Sequence, residues 1–597
     1  MYTIGVSRRS VVYGQLKIKR ILASAAVAWV ACTLAVDWTG NAGNYQLDDA
    51  ANWGSTPKVT DYCYIRSLQA QPLTVGGTGD FFGGGMLRYT GSFSITNDFG
   101  AGVALTNLGL MAESSLHVES GAKLVQVSGG LRCFKGTKYD GTYITANSTL
   151  TLDGPDTWFE QKSSSMTLRS TSSSGNLLHP QLIVTNGASL TATSLVAGGG
   201  EKTCSASVCV AGAGTRLNAN SIYISSQTPY PEKAVTNFFS VTEYATVTGN
   251  TVIVGRNAPF AGLEVAGANM TVRDNLIVGR YVTAASNCWL RVSSGGALTS
   301  SKVTSIGRSD AGNNALVCVS GAGSSFTALG GTVITGGVFR VEDGGRTRLQ
   351  NALSLCDARI ESRGEGTSFA VTSGDTEARG ARVVFSATDG ATNCVQRLNV
   401  QNAVVEGGLD YEKIYMDKTG GELIFTNATV TGTRIEMTQS STIRLVNTHL
   451  YVTNGIFMMG DLSGNNAANN AYKRDVYVGG TDTWVRVTQD NGFYIRGSNT
   501  TIHVEIPAEG FSTSHPVFDI QKIHSEGSRH IRVAVTADPQ LLWRGGTYTL
   551  FRTSADNSCY FAVIDWIYDP AVIEIDKSVS KEVRVRVKRL GGIIIFR

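Results

Sequence analysis

The stretch from about residue 182 to 370 repeats itself, and that repetition constrains the fold more than any other feature. Successive pieces read LIVTNGASLTATSLVAG, VCVAGAGTRLNANSIYIS, FSVTEYATVTGNTVIVGR, LEVAGANMTVRDNLIVGR and onward to IESRGEGTSFAVTSG. Each is a β-branched run, a tight turn of small residues, and one or two further runs. The turn positions Gly187, Gly212, Glu243, Gly267, Gly295, Gly321, Gly344 and Gly364 are spaced by 25, 31, 24, 28, 26, 23 and 20 residues. Self-similarity at such a period marks a solenoid, in which each unit buries its apolar face only against its neighbours. A coil of this length holds about three strands of four to six residues. Each strand pairs with its copy in the next coil, which makes the sheets parallel, and parallel crossovers are right-handed. The expected fold is all-β: a right-handed single-stranded parallel β-helix (solenoid) with a small C-terminal antiparallel β module.

Composition agrees. Glycine is abundant at 68 residues, proline sparse at 11, and charged residues make up only 16 % of 597. Thr, Ser, Val and Asn suit short strands and turns, whereas a disordered chain carries more charge and fewer β-branched residues. The net charge of +4 is small over this length. No basic stripe interleaved with aromatics appears, so nucleic acid is not an expected partner.

Arg8, Arg9, Lys17, Lys19 and Arg20 precede the uncharged apolar run Ile21 to Val36, and polar glycine-rich sequence follows. This order is that of a signal peptide over residues 1–35, cleaved after Ala35; the run is short for a membrane span of roughly 20 residues. Contact with a membrane is therefore expected only through export or surface association. Ser7-Arg8-Arg9 and Trp29-Val30-Ala31-Cys32 fit a twin-arginine signal and a lipoprotein box poorly. The chain divides further into an N-terminal cap (36–61), parallel β-helix repeats (62–506) and a C-terminal β module (507–597). At about 4.8 Å per coil, roughly 18 coils give a rod of about 85 Å, expected to be monomeric.

The segment after the signal contains Trp38-Thr39-Gly40-Asn41, then Asp49, Ala51-Asn52-Trp53 and Pro57. It resembles the N-terminal segment of bacterial autotransporter-passenger-like β-helix proteins. The resemblance covers about twenty residues plus the looser repeat pattern, and Gly546 to Leu550 (GTYTL) resembles the segment that closes such helices. It implies an exported surface rod, and it does not extend to a membrane β-barrel, for which residues 507–597 are too few. Large indoles suit the cover that a first open coil requires, so Trp38 and Trp53 are read as cap residues, with sugar stacking as the other use of an exposed indole. The terminal GGIIIFR is read as a last strand.

Within the array, Cys209 in VCVAGAG and Cys318 in VCVSGAG occupy equivalent places about four coils apart. At roughly 19 Å they cannot be bridged, and both are expected as small hydrophobes in the coil interior. Cys204 and Cys209 could close a local loop. Arg256, Arg280 and Arg308 end three coils and form an expected outward ladder. Insertions are expected at Arg132–Thr142 and Gln161–Asn176. Gly480-Thr481-Asp482-Thr483-Trp484 echoes Gly154-Pro155-Asp156-Thr157-Trp158, which reads as a turn followed by an inward aromatic.

Parallel β-helices also occur as polysaccharide lyases and glycoside hydrolases. Hydrolysis needs two carboxylates about 5 to 10 Å apart, and the nearest pairs are Asp153 with Asp156, Glu342 with Asp343, and Asp375 with Glu377. Acidic residues at turns ordinarily cap backbone groups. His503, His515, His524 and His530 are irregularly spaced and read as surface histidines. No phosphate loop, nucleophile elbow, zinc spacing or calcium repeat is present. No catalytic, cofactor-binding or metal residue is therefore assigned and no cofactor is expected. The expected role is structural or adhesive, with surface glycans or other cell-surface components as partners; a carbohydrate-active enzyme is the alternative.

Overall fold

The computed structural model describes short segments between residues 35 and 145. From Thr149 to Gly591 it is nearly continuous, with breaks at 156, 171–178, 201–204, 226–235, 256–259, 280–286, 308–314, 380–381, 461–469, 498, 526–530 and 555–563. Arg256, Arg280, Arg308, Trp38, Cys204, the first 34 residues and the last six lie outside the described residues, as does the expected insertion at 132–141.

One coil shows the plan. Leu316–Ser320, Ser325–Ala328 and Thr332–Thr335 are three strands in succession. Each pairs in parallel with its counterpart one coil on: Val338–Glu342, Arg346–Leu349 and Leu353–Cys356. Continued in both directions, these pairings form three parallel sheets, termed first, second and third in the order the chain meets them. The molecule is a parallel β-helix.

All eight turn positions of the repeat, Glu243 included, have positive φ, between 54° and 94°. That backbone region explains why glycine recurs there. A second device is a buried hydroxyl four residues after the last strand residue. Thr215 Oγ1 donates to Ala211 O at 2.7 Å and accepts from Gly187 N at 2.8 Å in the preceding coil. Thr367 repeats both bonds, to Arg363 O and from Gly344 N, each at 2.9 Å. One hydroxyl thus closes its own turn and satisfies an orphan N–H of its neighbour.

Alternation along each strand sends every second side chain inward. In the first sheet, Leu182, Val208, Phe239, Leu263, Leu290, Val317 and Phe339 are successive ladder partners, all at 0 % exposure. The same alternation corrects the reading of the cysteines. Cys209 leads through Ser240, Glu264 and Arg291 to Cys318, so the two are four coils apart. That ladder faces outward, however, because the valines on either side of each cysteine take the inward positions. Cys318 is covered by outer-face neighbours and its thiol meets Glu342 Oε1 at 3.4 Å; Cys209 is a half-buried free thiol.

The ends differ from expectation in two places. Trp158–Ser170 is one strand with a register shift between Gln161 and Ser165, so Gln161 to Ser170 belongs to the coil rather than to an insertion. Parallel pairing also continues beyond Pro507: Thr500–Ile506 pairs with Ile531–Ala537, which pairs with Ile564–Ile567. Antiparallel pairing begins only where Glu582–Val587 meets Gly546–Thr553 and Ile573–Asp576. At the N-terminus, Ala35–Asp37 pairs in parallel with Tyr62–Ile65. Trp53 is 5 % exposed, which fits a cap residue, and Asn52 is tied down through its carbonyl to Thr39 N and its side chain to Ala42 N.

Candidate functional site

The described acidic residues of the candidate pairs are each engaged in local contacts. Asp153 Oδ1 accepts from Thr185 Oγ1 at 2.8 Å and Asn186 Nδ2 at 2.7 Å in the next coil, a capping role; Asp156 lies outside the described residues. Glu342 accepts from the Cys318 thiol, and Asp343 occupies a turn position at φ 55°. Asp375 and Glu377 share one outer face, but Asp375 faces Arg397 at 3.7 Å and Glu377 faces Arg379 at 2.8 Å.

The histidines are another matter. Tyr477, Trp484 and Tyr494 lie on the first, second and third sheets of one coil, and His503, His515 and His524 occupy the coil that follows. Each pair is stacked. Tyr477 and His503 are ladder partners with ring centroids 4.3 Å apart and planes at 7°. Tyr494 and His524 are ladder partners at 4.7 Å and 12°. Trp484 and His515 stack at 5.0 Å and 13°. The spacing between parallel strands, about 4.8 Å, is close to a ring-stacking distance, so planar side chains in register on successive coils stack without distortion. Three aromatic–imidazole stacks therefore ring the rod at one level.

Trp158 and Trp484 are half-buried on the outer surface, with Phe159 and Val485 taking the inward positions beside them at 1 % and 0 % exposure. The turn hydroxyls Thr157 and Thr483 are fully covered. A buried residue at the end of the turn sends the next side chain outward, contrary to the expected inward aromatic.

On the first sheet, the Arg444 guanidinium lies 4.2 Å from the Tyr477 ring centre, which extends the stack to Arg444–Tyr477–His503. Asp475, 6 % exposed, anchors the histidine through Oδ1 to Nε2 at 3.0 Å and holds Lys473 at 3.0 Å through its other oxygen. Arg444, Tyr477 and His503 wall a groove of about 230 Å³ that reaches Ala534 and so crosses four coils.

On the second sheet, His449 is the ladder partner of Trp484 in the coil before it. Trp484 thus has an imidazole on either side along the rod, His515 stacked on its face and His449 edge-on at 6.0 Å and 80°. Asp482, in the turn leading to Trp484, joins the two histidines. Its Oδ2 is 3.1 Å from His449 Nε2 and its Oδ1 is 2.9 Å from His515 Nε2. The hydrogen bond from His515, with His449 beside it, holds the Asp482 carboxyl below the usual carboxylate range. The ligand-capable atoms of the three residues lie within 4.8 Å of one another.

None of this was visible in the irregular spacing of the histidines. The signal lay in the distance from each histidine to an aromatic: 26 residues from Tyr477 to His503, 31 from Trp484 to His515 and 30 from Tyr494 to His524, each one coil. Loops of unequal length between sheets hide that common step.

No family model matches the chain, and no curated protein matches it. A solved structure that does match is the Haemophilus influenzae Hap adhesin, 9 % identical, covering 90 % of this chain, with a TM-score of 0.25. The chain spans 65 % of that protein's length. At that score the likeness carries no argument, and the fold rests on the three parallel ladders.

Proposed function

We propose that this chain is an exported β-helix rod of autotransporter-passenger type, displayed at the cell surface or secreted, with an adhesive rather than catalytic role toward surface glycans. The observation that supports this most is the first-sheet groove. It runs along the rod axis over four coils, about 14 Å at the strand spacing, with Arg444, Tyr477, His503 and Glu505 along it. A long, shallow, mixed polar and aromatic channel suits an extended polymer held by many modest contacts, and repetition along a stiff rod multiplies such contacts. The segment 1–35, read as an export signal, is the support for localisation.

The competing reading, a lyase or hydrolase, draws on Asp375 and Glu377 lining a groove of about 410 Å³ beside the exposed Val333. Both carboxylates are held in ion pairs, with Arg397 at 3.7 Å and Arg379 at 2.8 Å, which counts against a free acid–base pair there. Glycan-array binding combined with polysaccharide turnover assays decides between them. Binding without turnover that weakens in Tyr477→Ala supports the adhesive rod. Turnover abolished by Asp375→Asn or Glu377→Gln would establish the enzyme instead. N-terminal sequencing of exported protein, expected to start after Ala35, checks the signal.

A further inference from the structure

We propose that His449, Asp482 and His515 form a binding site for one divalent transition-metal ion of the zinc class. This inference does not depend on the glycan reading. Three observations on the second sheet converge on it.

The first is ring orientation. His515 Nδ1 is 3.2 Å from the carbonyl oxygen of Pro516, which can only accept, so that nitrogen is committed to the backbone. Nε2 is thereby directed at the Asp482 carboxylate, 2.9 Å away. A histidine whose far nitrogen donates to a backbone carbonyl is also the usual outer-shell arrangement of a metal-ligating imidazole.

The second is His449. Its Nε2 is buried and has no aligned hydrogen bond, although Asp482 Oδ2 is 3.1 Å away. A buried imidazole nitrogen directed at a carboxylate but poorly aligned for a hydrogen bond to it is placed to coordinate a shared cation.

The third is geometry. Ligands at about 2.0 to 2.1 Å from a tetrahedral zinc lie about 3.4 Å apart. The nitrogen–oxygen separations, 2.9 Å from His515 to Oδ1 and 3.1 Å from His449 to Oδ2 of the one carboxylate, are about 0.3 to 0.5 Å shorter than that, and one ligand-capable atom from each of the three residues lies within 4.8 Å of the others. Trp484 fixes both rings, so little ordering remains for the ion to impose. Asp482 is 57 % exposed on its side chain, which leaves the outer coordination positions to water or an exogenous ligand. Two imidazoles and one carboxylate select zinc, nickel, copper or ferrous iron over calcium and magnesium.

The test uses the full chain after chelator treatment. Titration with Zn²⁺, and with Co²⁺ followed by its visible absorption, is expected to show one more equivalent bound by wild type than by His449→Ala/His515→Ala. Asp482→Asn, which preserves shape, is expected to weaken that equivalent by at least about tenfold. His503→Ala, on the neighbouring face, is expected to retain it, and Ca²⁺ is expected not to compete. Equal uptake by wild type and the double variant, with Asp482→Asn also unchanged, would overturn the proposal and leave the cluster as an imidazolium–carboxylate contact. Cysteine-bound zinc would appear equally in every variant and does not enter the difference.

Discussion

Arg474 is fully buried at the start of the strand that carries Asp475 and Tyr477. Its Nε donates to Met437 O at 2.6 Å, its Nη2 to Thr438 O at 2.9 Å, and its Nη1 reaches Tyr472 O at 3.5 Å. Met437 is the last residue of the strand Gly421–Met437, so the guanidinium serves carbonyls where the chain leaves the third sheet. Replacing Arg474 by Met removes two short charge-assisted bonds, each about 1.5 to 3 kcal/mol, and strands their acceptors. With about 1 kcal/mol returned by the apolar replacement, the expected loss is about 2 to 5 kcal/mol. Arg474→Lys should lose about half as much, because one ammonium cannot span the fork. A solenoid opens locally, so the assay is native-state hydrogen exchange in Ser441–Val446 and Arg474–Gly479, the strands that pair here. Protection there should fall by a factor of roughly 30 to 5,000, with Leu182–Phe339 unaffected. A change below tenfold in Arg474→Met, or an equal loss across the whole rod, would refute the reasoning.

Other expectations follow from the same packing. Burial first, and Glu342 second, push the Cys318 thiol up to about 11 from 9.0. Its alkylation, followed by site-resolved mass spectrometry, should be about 100-fold slower than that of an ordinary thiol, and Glu342→Gln should quicken it. Because the unfolded thiol ionises first, this group's contribution to stability is full below pH 9 and declines as pH rises toward 11, which alkaline denaturation can check. A Cβ on Gly432 would lie 2.4 Å from the ring of Tyr411, its ladder partner. Gly432→Ala should therefore cost about 1 to 3 kcal/mol, with less cost in a Tyr411→Ala background. Phe457, Phe493, Phe518 and Phe551 form an inward file at 5.6, 5.8 and 4.8 Å. Phe493→Ala should cost about 3 to 5 kcal/mol and speed proteolysis after residue 457 before it affects earlier coils.

Much of the architecture was legible because it is written in short-range terms. A positive-φ turn needs glycine or a tolerant residue wherever it occurs, so the eight turn positions mark the coils without any tertiary information. Their count also placed Cys209 and Cys318 four coils apart. Which way a side chain points was harder. Cys318 and Trp484 are apolar and were expected inside, but inward and outward are set by parity along the strand, counted from a turn whose length varies. The C-terminal boundary was misplaced for a similar reason: strands such as Phe518–Ile520 look irregular alone and become coil members only through their partners.

The sequence by itself determined the repeat, its period and the parallel stacking, because turn chemistry and apolar alternation are local and recur in every coil. Only the tertiary structure decided which outward residues meet. His449, the Asp482–Trp484 turn and His515 are separated by loops of different lengths, and it is the common rise of one coil per turn, not their spacing in the chain, that brings two imidazoles and a carboxylate to one point on the second sheet.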